Sequence, residues 1–303
     1  MRIDFHRLLV QSANRLGPWL FVVVSRIIAA GFFLLPRRSR ESSRFYALLY
    51  PERGRLYHLW CAFRQFQNFT TIHYDRYLAN QGRPTAFTVQ GMERLEAAVG
   101  RSGAILLMSH FGNWEMAARL LMRERQDLRL LLYMGVKEKE GVEKTQKEEL
   151  RRAGVTIIGV DRDGGSPFAV VDGVRLLREG GIVSMTGDIV WRAEQRCLQV
   201  RFLGGIAHLP EAPFVLALVA DAPIYVFFAT RTGTNSYSLV LSEPIHVRAA
   251  TRGDRKRAIA DAAQRYADLL AEALRAHPLE WYHFTRFVHL PEEGPAPRPV
   301  PGD

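Results

Sequence analysis

His110, Asn113 and Glu115 lie within the short run "SHFGNWE". A carboxylate bonded to one imidazole nitrogen fixes the tautomer and raises the basicity of the other. The free nitrogen can then take a proton from a hydroxyl, as a general base does. Transfer to an alcohol by this route needs no serine or cysteine nucleophile. Asn113 suits the cap of a helix opening at Trp114, which places Glu115 in the first turn, where the helix dipole favours its charge. The spacing predicts that Glu115 folds back on His110. The same spacing also fits a structural histidine followed by an ordinary first-turn glutamate.

Such a group must be held by regular elements. "AILLMSH" (104–110) reads as a buried strand and "WEMAARLLMRER" (114–125) as a helix, so His110 falls where a strand ends and a helix begins. In α/β sheets functional residues gather at such ends. Alternation continues with strands at 128–134, 155–160 and 181–188, a charged helix at 137–154, and a helix at 167–180 opened by Pro167. Then follow a strand at 198–204, a helix from about Glu211 to Asp221, strands at 223–231 and 236–245 joined through "TGTN" as a hairpin, and a last helix at about 255–276. Helices alternating with continuous apolar strands predict an α/β fold of one domain, with a central, mostly parallel mixed sheet flanked by helices. This domain is expected over 46–290, after a membrane-associating segment at 1–45 and before a disordered Pro-rich tail at 291–303.

The N-terminal segment carries "GPWLFVVVSRIIAAGFFLLP" (17–36), almost wholly apolar and long enough to cross a bilayer core. Arg26 in its middle is costly for a spanning helix, and arginines flank both ends rather than one. A helix or hairpin lying in the membrane face fits this pattern better, with a buried core helix as the alternative. No small-residue cleavage site follows the run, so it is not read as a removed signal peptide.

The net charge of +10 favours an anionic partner, whether membrane, nucleic acid or an acidic protein. Cys61 and Cys197 lack CxxC spacing, so neither a disulfide framework nor a zinc site is expected. No metal and no cofactor is expected, because HExxH, phosphate-loop and dinucleotide patterns are missing.

"SHFGNWE" resembles the HxxxxD/E motif of the lysophospholipid acyltransferase-like superfamily, in the form found in the branch of late lipid A biosynthesis acyltransferases. "GGIVSMTGDIV" resembles a family strand ending in aspartate, here Asp188. "VRFLGGIAHLPEAPFVLALVADAPIYVFFATR" and "HPLEWYHFTRF" resemble later segments of the same pattern, in the same order. The resemblance implies transfer of a fatty acyl group from an acyl carrier protein or coenzyme A thioester to a hydroxyl of a lipid or glycolipid, at the cytoplasmic face of a bacterial inner membrane. His110 would be the base and Glu115 its partner. Arg231 would give positive charge to an oxyanion or a phosphate, or else form a surface salt bridge. Arg162 would bind phosphate or sit solvated in a loop. Asp188 would orient Arg231 or another cation, or simply turn the chain after Gly187. The basic charge suits both an acidic carrier protein and anionic lipid.

A nucleic-acid-binding protein would also explain the charge, but the basic residues are scattered and no RNA-binding or helix-turn-helix signature occurs. A non-catalytic membrane-surface protein that keeps the fold would not need His110 and Glu115 together.

Overall fold

The computed structural model describes residues 5–124, 129–135, 156–160, 167–190 and 195–291. Arg162, the charged stretch at 137–154 and the tail from 292 lie outside them.

Four helices come first: α1 (Phe5–Leu16), α2 (Pro18–Phe33), α3 (Pro36–Leu49) and α4 (Arg55–Asn80). Proline opens α2 and α3, where its missing N–H costs nothing. Residues 17–36, expected as a helix or hairpin, are therefore α2 followed by a break before α3. The chain bends by 87° between α2 and α3, and no single helix among the described residues is long and apolar enough to cross a membrane.

Next come β1 (Ala86–Gln90), α5 (Met92–Ala98), β2 (Ala104–Met108), α6 (Trp114–Glu124), β3 (Leu130–Gly135), β4 (Thr156–Val160), α7 (Pro167–Arg178) and β5 (Ile182–Thr186). The chain closes with β6 (Cys197–Phe202), β7 (Gly205–Pro210), α8 (Ala212–Ala220), β8 (Ile224–Gly233), β9 (Ser236–Leu241), α9 (Arg255–Ala276) and β10 (Val288–His289). Among the described residues, seven strands form the main sheet in the order β1-β9-β8-β2-β5-β3-β4. The pairs are parallel except β8 with β9. That pair is the expected hairpin, closed by a tight loop in which Asn235 adopts a φ of 53°, a conformation asparagine tolerates. A second sheet, β10-β7-β6, is antiparallel.

Central β2 is buried at every residue, and its side chains alternate between two cores as the pleat requires. Ile105 and Leu107 join Leu177 of α7, Phe214 of α8 and Leu270 of α9. Leu106 and Met108 join Leu95 of α5 and Leu121 of α6. With helices on both faces, the continuous apolar runs have nowhere to meet water.

α4 buries polar groups beside Cys61, Ala62, Phe66, Tyr77 and Leu78, and leaves large apolar ones outside. Gln65, Gln67, Asp75 and Arg76 are buried, whereas Leu56, Trp60 and Phe63 are exposed.

Candidate active site

Parallel pairing of β2 with β5 sets Met108 beside Thr186. The residues just past both ends therefore meet, bringing His110 to Asp188 across 78 positions of sequence. Gly187 donates its N–H to the Met108 carbonyl at 2.8 Å. A Cβ on Gly187 would lie 2.6 Å from the Tyr266 ring, so only glycine lets the two strand ends close up.

Asp188 is fully buried and holds His110 twice. One carboxylate oxygen accepts the His110 backbone N–H at 2.8 Å, and the other accepts Nδ1 at 3.0 Å. Trp281 Nε1 donates to the first oxygen at 3.0 Å. Burial alone would raise the pKa of this carboxyl, but the charge and hydrogen bonds of His110 overrule it and hold Asp188 below its ordinary value. An ionised Asp188 can only accept, so Nδ1 carries the proton of the neutral ring and Nε2 keeps its lone pair. The imidazole is 29% exposed.

His283 faces His110 edge to face at 6.4 Å and stacks on Trp281 at 5.0 Å. Burial pushes its pKa down to about 4 against the pull of Asp188.

Glu115 occupies the first turn of α6 as expected, but it does not fold back on His110. Its buried carboxylate accepts from Arg76 Nε at 2.8 Å and also from Arg76 Nη2. Arg119 Nη2 donates to the other oxygen at 3.0 Å. Two guanidiniums outcompete the imidazole here because they bring permanent charge and paired donors. Asn113 Oδ1 takes the cap position, 3.4 Å from Met116 N, while Asn113 Nδ2 donates to the Tyr237 hydroxyl at 3.0 Å.

That hydroxyl donates in turn to Asp75 at 2.6 Å. Asp75 is bound by Arg231 through Nε at 2.7 Å and Nη2 at 3.1 Å. Arg231 is thus part-buried in an ion pair with α4, not in a surface salt bridge and not with Asp188. Desolvation works against its charge, and the bonds to Asp75 more than restore it, raising its pKa. Its backbone N–H donates to Glu280 Oε2 at 2.9 Å. Burial lifts Glu280 to about 7 although that bond and the Arg231 charge pull it down.

A strap at 278–282 closes over the strand ends. Gly112 N donates to the Glu280 carbonyl at 2.7 Å, and Tyr282 N to the His110 carbonyl at 2.7 Å. Gly112 has a φ of +63°, and a Cβ there would lie 1.9 Å from the Ala229 oxygen, so the turn out of β2 demands glycine. Between α5, α6 and the sheet lies an apolar cleft lined by Leu95, Leu106, Trp114, Leu121 and Phe227. Trp114 connects it to the His110 turn.

A family model of bacterial lipid A biosynthesis acyltransferases matches residues 62–287. The chain belongs to that family. It is an acyltransferase, and its family works with an acyl donor and a lipid or glycolipid acceptor. No curated protein matches the sequence. The match runs from within α4 to the residue before β10, so it takes in every group of the site above. Sequence reading missed Asp75, Arg76, Tyr237, Glu280, Trp281 and His283. The last three sit in "HPLEWYHFTRF", which carried the resemblance without any role attached to its residues. Asp75 and Arg76 gave no signal, because two adjacent charges on a helix usually face water.

Proposed function

We propose that this lipid A acyltransferase relative moves a fatty acyl group from a thioester, on acyl carrier protein or coenzyme A, to a hydroxyl of a lipid or glycolipid. His110 Nε2 takes the hydroxyl proton. The oxygen then attacks the thioester carbonyl, and the tetrahedral oxyanion collapses to the ester with loss of thiolate. The imidazolium returns its proton to that thiolate. Asp188 keeps Nδ1 protonated and stabilises the imidazolium, the part first assigned to Glu115. Glu115 instead sets the position of α6 through Arg76 and Arg119. Asp75 uses Nε and Nη2 of Arg231, leaving the Nη1 donors for an oxyanion or a phosphate.

The observation that carries this reading is the double hold of Asp188 on His110, with the far ring nitrogen open. The proposed location is the cytoplasmic face of the inner membrane. It rests on the exposed apolar residues Trp19, Val23, Ile27 and Phe32 of α2 and the basic residues on both sides of it.

The test is an intact-mass lipid profile of cells lacking the gene, cells with it restored, and cells carrying His110→Ala. The reading expects one lipid, heavier by one acyl group, in the restored cells alone. The same species in the His110→Ala cells would sink it.

A further inference from the structure

α2 and α4 enclose a groove lined by Arg26, Ile27, Ala30, Phe63, Arg64 and Gln67. Arg26 sits among the apolar residues of α2 that first read as a membrane segment, and the groove is where its charge goes. Its Nη1 donates to Gln67 Oε1 at 3.3 Å, and Gln67 Nε2 donates back to the Arg26 carbonyl at 3.2 Å. Arg64 lies over the Trp60 ring at 5.7 Å.

No carboxylate pairs with either guanidinium among the described residues. The two arginines repel each other across the groove, and Arg231 adds to the repulsion. Arg26 accordingly loses some of its basicity, first through burial and then through these two neighbours. Elsewhere carboxylates compensate arginines withdrawn from water: Arg231 has Asp75, and Arg76 and Arg119 have Glu115. A half-buried guanidinium, Arg26, facing an exposed one, Arg64, in one concave place costs energy unless an anion joins them.

The surroundings select the kind of anion. Ile27 is 66% exposed and Phe63 36% exposed on the groove walls, and Trp60, Val23 and Trp19 continue the apolar surface on the same two helices. A small hydrophilic ion would leave that surface facing water. An amphiphile would cover it.

We propose that Arg26 and Arg64 bind the phosphate of an anionic membrane lipid, with its hydrocarbon lying against Ile27 and Phe63. The site fixes the depth and orientation of α2 and α4 at the bilayer, and does not depend on the transfer chemistry.

The test uses the full chain carrying His110→Ala and no acyl donor, so it reads the groove alone. Binding is measured by co-sedimentation with phosphatidylcholine vesicles, with and without phosphatidylglycerol. The parent chain should prefer the anionic vesicles. Arg26→Gln with Arg64→Gln should weaken that binding about tenfold or more. Lys256→Gln with Arg265→Gln, which removes two exposed charges on α9, should weaken it less than about twofold. Arg64→Gln alone guards against misfolding, since its exposed side chain holds no described hydrogen bond, and should weaken binding about threefold. Equal losses in the groove pair and the α9 pair would overturn the proposal, as would unchanged binding by Arg64→Gln. Displacement by inorganic phosphate, beyond that by chloride at matched ionic strength, would reassign the groove to a soluble anion.

Discussion

Asp188 takes hold of His110 at two points, the backbone N–H at 2.8 Å and Nδ1 at 3.0 Å. Ring orientation and strand-end position are therefore set by one carboxylate. Asp188→Asn should keep the fold, since an amide can still accept from the His110 N–H. It removes the charge that stabilises the imidazolium and can impose the wrong tautomer. Acyl transfer with a labelled thioester should show kcat reduced roughly 10²- to 10⁴-fold at little changed KM. Near-normal kcat would remove Asp188 from the mechanism.

Glu115→Gln should fail differently. It leaves Arg76 and Arg119 without the buried charge that holds them, and breaking such a pair costs about 3 kcal/mol. Urea denaturation should show that loss, together with reduced activity. Asp188→Asn should show the activity loss with a much smaller stability loss. A Glu115→Gln protein as stable as the parent would contradict the structural part given to Glu115.

Much of the sheet was legible because β2, β3 and β5 are continuous apolar runs between helices, and the helix expected at about 255–276 coincides with α9. Residues 46–103 yielded no element. The reason is physical in α4: it buries Gln65, Gln67, Asp75 and Arg76 among apolar residues and exposes Leu56, Trp60 and Phe63, so no clean apolar periodicity marks its buried face. β1 is an edge strand with mostly exposed residues and carries no strong alternation. His110 could be picked out by its place after a strand. Its partner could not, because the parallel register of β2 and β5 is a property of the assembled sheet. The nearest carboxylate in sequence, Glu115, was the natural choice, and two arginines distant in sequence or one helical turn away claimed it.

Gly112→Ala should cost at least about 2 kcal/mol. The substitution meets both a left-handed backbone and the Ala229 oxygen. The Tm by circular dichroism should fall, and the remaining folded protein should lose activity because the turn carries His110. An unchanged Tm would mean that this turn can open without consequence.

Glu280 gives a pH signature. Its pKa rises from 4.5 in the unfolded chain to about 7 in the folded one. The folded state therefore binds the extra proton, and this contribution is complete below about pH 4.5 and lost as pH rises through 7. His283, lowered to about 4, acts in the opposite sense only below about pH 6.5. The interval from pH 6.5 to 8 thus reads Glu280. Glu280→Gln keeps an acceptor for the Arg231 N–H and cannot ionise. It should raise the Tm relative to the parent at pH 8 and give little or no gain at pH 5. An equal gain at both would show that ionisation is not the cause.

The bond from Trp281 to Asp188 also dates the enzyme's competence. The carboxylate that orients His110 is made 93 residues before the indole that holds it. At about 5–20 residues per second, the ribosome takes on the order of 5–20 s to run from one to the other. Throughout that interval the nascent chain holds a histidine and its aspartate without the group that seats them. Chains halted before Trp281 should carry both residues and transfer nothing, so the acyl donor meets a working site only after Trp281 has been added.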